Sequence, residues 1–189
     1  CIDRYICKGE GEETWAPRYT FHGFQYVELT GLRSAPNLDA IEGISLSSDL
    51  PVTGHFECSD PVSNQLYSNI VHTQLANFID IPTDCPQRDE RLGWTGDAQI
   101  YVRTASYTRD VAPFFTKWLV TLDDAQRDNG EYPDVAPRLV APNGGVAAWG
   151  DAGVICPWTI YDAYGDLRVL EKHYENMAKW ITFCRNNST

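Results

Sequence analysis

Apolar positions along the chain first fall in short runs and then recur at helical spacing, with the change near residue 58. Before it, residues 24–30 (Phe-Gln-Tyr-Val-Glu-Leu-Thr, then Gly31), 41–46 and 52–57 (after Pro51) gather aromatic and β-branched residues between Gly, Pro and Asn. These are strand signals, because such side chains fit a pleated, half-buried surface and turn residues end it. Three or four strands are too few to close a sandwich, so residues 1–57 read as the tail of a β-sandwich domain. Residues 58–189 read as the start of a helical one.

Five helices are predicted there. Ser59-Asp60-Pro61 offers a cap and a first-turn proline, followed by an apolar stripe of Val62, Leu66, Ile70, Val71 and Leu75. A second helix covers 97–107 with Ile100 and Tyr101 inward, and a third follows Asp110 with Phe114, Phe115, Trp118, Leu119 and Leu122 on one face. The fourth covers 152–164, with a bend expected at Pro157. The fifth follows Asp166, with Leu167, Leu170, Tyr174, Met177, Ile181 and Cys184 three and four residues apart.

Two connections do not fit plain punctuation. Residues 80–97 hold several carboxylates and arginines, two prolines, two glycines and Trp94. Residues 134–150 are rich in Pro and Gly and end in Ala148-Trp-Gly150, ahead of Asp151. Long loops on a helical scaffold carry function more often than not. Each precedes a helix, so both are expected to open on the same end of an antiparallel array and form a pocket floor.

Composition narrows the chemistry. Of 189 residues, 15 are Lys or Arg and 26 are Asp or Glu, giving a net charge of −11. A phosphate backbone requires clustered cations, so a nucleic-acid partner is excluded. With 43% hydrophobic residues the chain can bury a core. It contains no apolar run of the roughly 18 residues a membrane span needs, so no membrane partner is expected. No basic start leads into an apolar segment, so no signal peptide is expected, and a chain that begins at Cys1, with Met177 its only methionine, reads as an internal fragment. The four histidines and six cysteines (Cys1, Cys7, Cys58, Cys85, Cys156, Cys184) show no zinc-ligand spacing and no CxxC pair. Free, mostly buried thiols are expected, with no metal and no cofactor; the compartment is unassigned, with a lean toward a reducing cytoplasm.

Glu90 and Asp89 lie between Arg88 and Arg91, with Asp84 and Asp97 on either side. One reading is a salt-bridged helix entrance, since acids favour a helix N-terminus. The other is a sugar site: carboxylates accept from hydroxyls, an indole face covers the apolar ring surface, and a carboxyl beside other acids can keep a proton for a glycosidic oxygen. Trp149 is either a core anchor or a stacking platform among Gly144, Gly145 and Gly150. Asp151 is expected to cap the fourth helix, and Cys85 lacks the histidine partner a thiol nucleophile needs.

The segment Asp84-Cys-Pro-Gln-Arg-Asp-Glu-Arg-Leu-Gly-Trp-Thr-Gly-Asp97 closely resembles the active-site segment of the bacterial α-L-rhamnosidases, glycoside hydrolase family 78. The likeness extends through Tyr19-Thr-Phe-His-Gly-Phe-Gln-Tyr-Val-Glu28, Gly54-His-Phe-Glu-Cys-Ser59 and Trp149-Gly-Asp-Ala-Gly-Val-Ile-Cys-Pro-Trp158. It implies a mainly α fold, a partial (α/α)6 barrel preceded by the C-terminal strands of a β-sandwich. It also implies an inverting hydrolase that releases terminal α-L-rhamnose. On that resemblance Glu90 is the general acid, Asp84 and Asp97 hold rhamnose hydroxyls, Trp94 and Trp149 line the subsite, and Arg88 orients a carboxylate or touches sugar. The family's general base lies beyond Thr189, so the partners implied are a rhamnose-containing glycoside and the rest of the parent chain. Another exo-glycosidase on the same barrel, or a noncatalytic carbohydrate-binding module, are the competing readings. Alone, the chain is expected to be catalytically silent and to aggregate or pack loosely, with Phe114, Phe115, Trp118 and Leu122 left uncovered.

Overall fold

A computed structural model describes residues 1–139 and 144–188. It contains α1 (Pro61–Asn77), β1 (Phe78–Ile79), β2 (Ile81–Pro82), α2 (Thr95–Thr108), α3 (Ala112–Asp124), a single turn α4 (Ala147–Gly150), α5 (Ala152–Tyr164) and α6 (Leu167–Asn187). The β1–β2 hairpin pairs Phe78 with Pro82 and Ile79 with Ile81. No helix of the described residues is long and apolar enough to cross a membrane.

Local chemistry sets the helix ends. The Asp60 carboxylate accepts from the Val62 and Ser63 amides at the start of α1, just ahead of Pro61. The Asp166 carboxylate accepts from the Arg168 amide of α6. α5 runs through Pro157 without interruption and stops at Gly165, whose φ of 69° lets its N–H reach the Tyr161 carbonyl at 2.7 Å. α2 begins two residues before the position expected from sequence, because Thr95 is fixed by the second loop rather than left as a linker.

The core lies between α2, α3, α5 and α6. Phe78 stacks on Phe114 at 4.5 Å, Phe115 meets Trp118 edge-on at 6.0 Å, and the Trp118 indole donates to the Ala136 carbonyl at 3.1 Å. Phe114, Phe115, Trp118, Leu119 and Leu122 are all buried, as the helical stripe required. They are therefore covered within this chain, which corrects the expectation that they would be left open: α5, α6 and the β1–β2 hairpin pack over α3.

Five other expectations are corrected. The runs 24–30, 41–46 and 52–57 form no sheet among the described residues, apart from an isolated bridge between Val52 and Arg109. A strand is stabilised by its ladder partners, and no neighbouring strand is available to them here. In α1, Val62 and Leu66 are exposed and the one buried side chain is Gln74, which bonds Thr108 and the Ala105 carbonyl. Ile100 of α2 likewise faces outward. In α6 the buried positions are Val169, His173 and Trp180, whereas Leu167, Tyr174 and Ile181 are exposed: one helix carries two apolar faces, and only one meets α3 and α5. All six cysteines are free thiols, but Cys85 and Cys156 alone are buried, and Cys1 and Cys7 are exposed.

Candidate active site

The loop between β2 and α2 folds back on itself. The Asp84 amide donates to the Leu92 carbonyl at 3.1 Å and the Leu92 amide returns to Asp84 Oδ1 at 3.0 Å. This closes residues 84–92 into a ring around Cys85 and fixes the Asp84 carboxylate at its edge. The Cys85 thiol donates to Asp84 Oδ2 at 2.8 Å and lies 3.6 Å from Glu90 Oε2. Burial, with help from Asp84, pushes the Cys85 thiol above its ordinary value. A thiol kept protonated is a donor and not a nucleophile.

Glu90 is half-buried at the mouth of that ring. Its Oε2 pairs with Arg88 Nη2 at 2.5 Å and its Oε1 accepts from the Trp94 indole at 3.1 Å. Arg88 also donates through Nε to Cys85 Sγ at 3.2 Å, so one guanidinium spans the thiol and the carboxylate. Asp84, Cys85 and Glu90 bring their ligand atoms within 4.8 Å of one another, the spacing of a metal cluster. Here Arg88 already bonds both Glu90 and the Cys85 sulfur, and the set fits a hydrogen-bonded cluster.

Asp97 sits in the first turn of α2. Partial desolvation, then the charges of Asp84 and Glu90, raise its carboxyl above the ordinary Asp value. Such a group contributes stability fully below the unfolded value of about 3.9, and loses it as pH rises through the raised folded value. The thermal midpoint of Asp97→Asn is therefore expected to gain on the native protein as pH rises from about 3 to about 7. Parallel melting curves with a constant offset would contradict the raised value.

The second loop meets the first directly, as expected for two loops at one end of the array. Trp94 bridges Val135, the Thr95 amide donates to the Asp134 carbonyl at 2.9 Å, and the Ala136 amide donates to the Gly93 carbonyl at 2.9 Å. The approach is close enough that a Cβ on Gly93 would lie 2.2 Å from the Ala136 oxygen. Trp149, on α4, is half-buried and lies outside the buried core. Its ring rests over Gly96, where an added Cβ would be 3.1 Å from both Cδ1 and Nε1, one residue from Asp97. The Asp151 carboxylate makes no cap hydrogen bond. It accepts instead from the Trp180 indole at 3.0 Å, a correction to its expected helix-capping role.

The loops thus bring Asp84, Glu90, Trp94, Asp97 and Trp149 to one end of the helical array. Residues 140–143 of the second loop lie outside the described residues. Sequence reasoning did not single out Arg91, Phe21 or Trp180, although each supports this surface. Trp180 had a signal in its helical spacing with Val169 and His173; the approach of Phe21 to the loop had none.

Comparison with known proteins places this geometry. Residues 51–189 match the family model of the bacterial α-L-rhamnosidase six-hairpin glycosidase domain, and residues 1–47 match that of the bacterial α-L-rhamnosidase concanavalin-like domain. An α-L-rhamnosidase of Streptomyces avermitilis is 48% identical over 98% of this chain and 18% of its own length. One from Formosa agariphila is 46% identical over 95% of this chain and 20% of its own. The crystal structure of the Streptomyces avermitilis enzyme complexed with L-rhamnose superposes with a TM-score of 0.91 over 97% of this chain and 18% of that one. The α-L-rhamnosidase of Dictyoglumus thermophilum superposes with a TM-score of 0.78 at 40% identity, covering 82% of this chain and 17% of the other. This chain spans about a fifth of the length of these relatives. Its helices are a partial (α/α)6 barrel of the six-hairpin kind, and the chain belongs to the bacterial α-L-rhamnosidase family of glycoside hydrolases.

Proposed function

We propose that this chain carries the proton donor and part of the sugar subsite of an inverting α-L-rhamnosidase. Residues 1–57 would be the end of its β-sandwich domain and residues 58–189 the first part of its barrel. The observation that carries this reading is the Glu90 carboxyl, held by Arg88 and Trp94 beside Asp84 and facing the end of α2 that bears Asp97. In the productive state Glu90 carries a proton and gives it to the glycosidic oxygen as the bond to the anomeric carbon breaks. Asp84 keeps lone pairs beyond those used by Leu92 and Cys85, and with Asp97 it accepts from rhamnose hydroxyls. Trp94 and Trp149 give the apolar wall that suits a sugar whose C6 is a methyl group. The base that activates water on the opposite face, about 6.5–9.5 Å from the acid in inverting enzymes, would come from the rest of the parent polypeptide.

Aryl glycosides offered to that polypeptide test the reading. Rapid release from nitrophenyl α-L-rhamnoside, with β-L-rhamnose as the first sugar seen by NMR, is the expected result. Preference for another glycoside would remove the substrate assignment, and α-L-rhamnose formed first would remove inversion.

A further inference from the structure

Arg91 follows Glu90 directly and has φ of 52°, in the left-handed region that a long side chain seldom adopts. Its side chain is only 21% exposed although it lies on a surface loop. The reason is a contact across 70 positions of sequence: Nη1 donates to the Phe21 carbonyl, and the guanidinium lies 4.9 Å over the Phe21 ring. Nη2 reaches Asp89 Oδ1 at 3.3 Å. Two residues further, the Gly23 backbone is pressed against the same loop, where an added Cβ would stand 2.5 Å from Gln87 Cα. The loop that holds Glu90 is thus held from inside by Cys85, through Asp84, Arg88 and Glu90, and from outside by residues 21–23, where Arg91 makes the contact.

We propose that Arg91 is a positioning residue for the proton donor, with Phe21 as its anchor, so that the segment preceding the helices forms part of the active-site support. This rests on Glu90 being the acid. Left-handed backbone at residue 91 turns the side chain away from the cluster toward Phe21, and the two contacts there offset the conformational cost. With the anchor gone, residues 87–91 lose their outer support, and the Glu90 carboxyl loses its fixed direction toward the glycosidic oxygen. Ground-state sugar contacts made by Asp84, Trp94 and Trp149 do not depend on that anchor.

The test uses the full polypeptide that contains this chain. Arg91→Asn is the informative variant, because Asn tolerates left-handed backbone while removing the guanidinium. Its kcat on an alkyl α-L-rhamnoside is expected to fall by up to about 10²-fold, the scale of a small misplacement of a reacting group. KM should change less than twofold, roughly the noise of an unaltered binding contact. Phe21→Ala should act in the same direction, and Arg91→Lys should recover part of the loss by keeping the cation over the ring. In the Glu90→Gln background, Arg91→Asn should cost nothing further, since there is no proton left to position. An unchanged kcat in Arg91→Asn, or an equal loss in the Glu90→Gln background, would overturn the proposal. A folding defect is separated by the thermal midpoint, since a loss of kcat that follows the midpoint and is not rescued by Lys also overturns it. Glu90→Gln alone reports on the acid: a silent Glu90→Gln removes the acid and this inference together, whereas a strong Glu90→Gln beside a silent Arg91→Asn removes only the inference.

Discussion

Glu90→Gln in the parent polypeptide is expected to lower turnover of an alkyl α-L-rhamnoside by roughly 10²–10⁴-fold, the usual contribution of general acid catalysis. The substitution keeps size and shape, and its one amide oxygen can still accept from Arg88 or from Trp94, the two donors that bond the carboxylate at 2.5 and 3.1 Å. What it removes is the transferable proton. Rhamnose affinity should therefore stay near the native value, because a loss confined to the transition state lowers kcat with little change in KM. Cys85 gives no substitute donor of matching acidity, since its thiol is pushed up by burial. Weakened rhamnose binding in step with turnover would instead make Glu90 a sugar contact.

Trp180→Ala is expected to cost about 3–5 kcal/mol of stability, the range for truncating a buried aromatic. Trp180 is fully buried, stacks on Phe183 at 5.4 Å, and lies 5.9 Å from Tyr132. Its indole is the hydrogen-bond donor to Asp151, and its ring faces Gly150, where a Cβ would be 2.4 Å away. Truncation opens a cavity and leaves a half-buried carboxylate without that donor. α4 rests on this contact, so Trp149 loses its support over Gly96. Trp180→Phe keeps most of the packing and is expected to lose only about 1–3 kcal/mol, the cost of the unpaired group. Urea midpoints of the two variants measure both effects, and an Ala variant as stable as the Phe variant would show that packing at this site contributes little.

Much of this arrangement was legible in the residues. The spacing of Phe114, Phe115, Trp118, Leu119 and Leu122 gave the buried face of α3, because α3 has one apolar face and meets one core. Asp60 with Pro61, and Asp166, marked helix starts for local reasons that need no tertiary context. α6 misled because it has apolar residues on two sides, and only packing decides which side is covered. The strand signals before residue 58 likewise describe side chains suited to a sheet, and a ladder still depends on partners elsewhere. At the site, the density of acids around Glu90 was visible in sequence. The clasp from Arg91 to Phe21 was not, because a left-handed arginine and a contact over 70 positions have no local signature.

Glu90 as the proton donor is tested most directly by the dependence of the Glu90→Gln defect on the leaving group. Nitrophenolate departs with little need of a proton, whereas an alkoxide cannot leave without one. Turnover of nitrophenyl and alkyl α-L-rhamnosides, measured side by side for the native and Glu90→Gln polypeptides, should show a small loss on the first and a loss of roughly 10²–10⁴-fold on the second. Equal losses on both substrates would contradict the assignment and place the proton donor elsewhere.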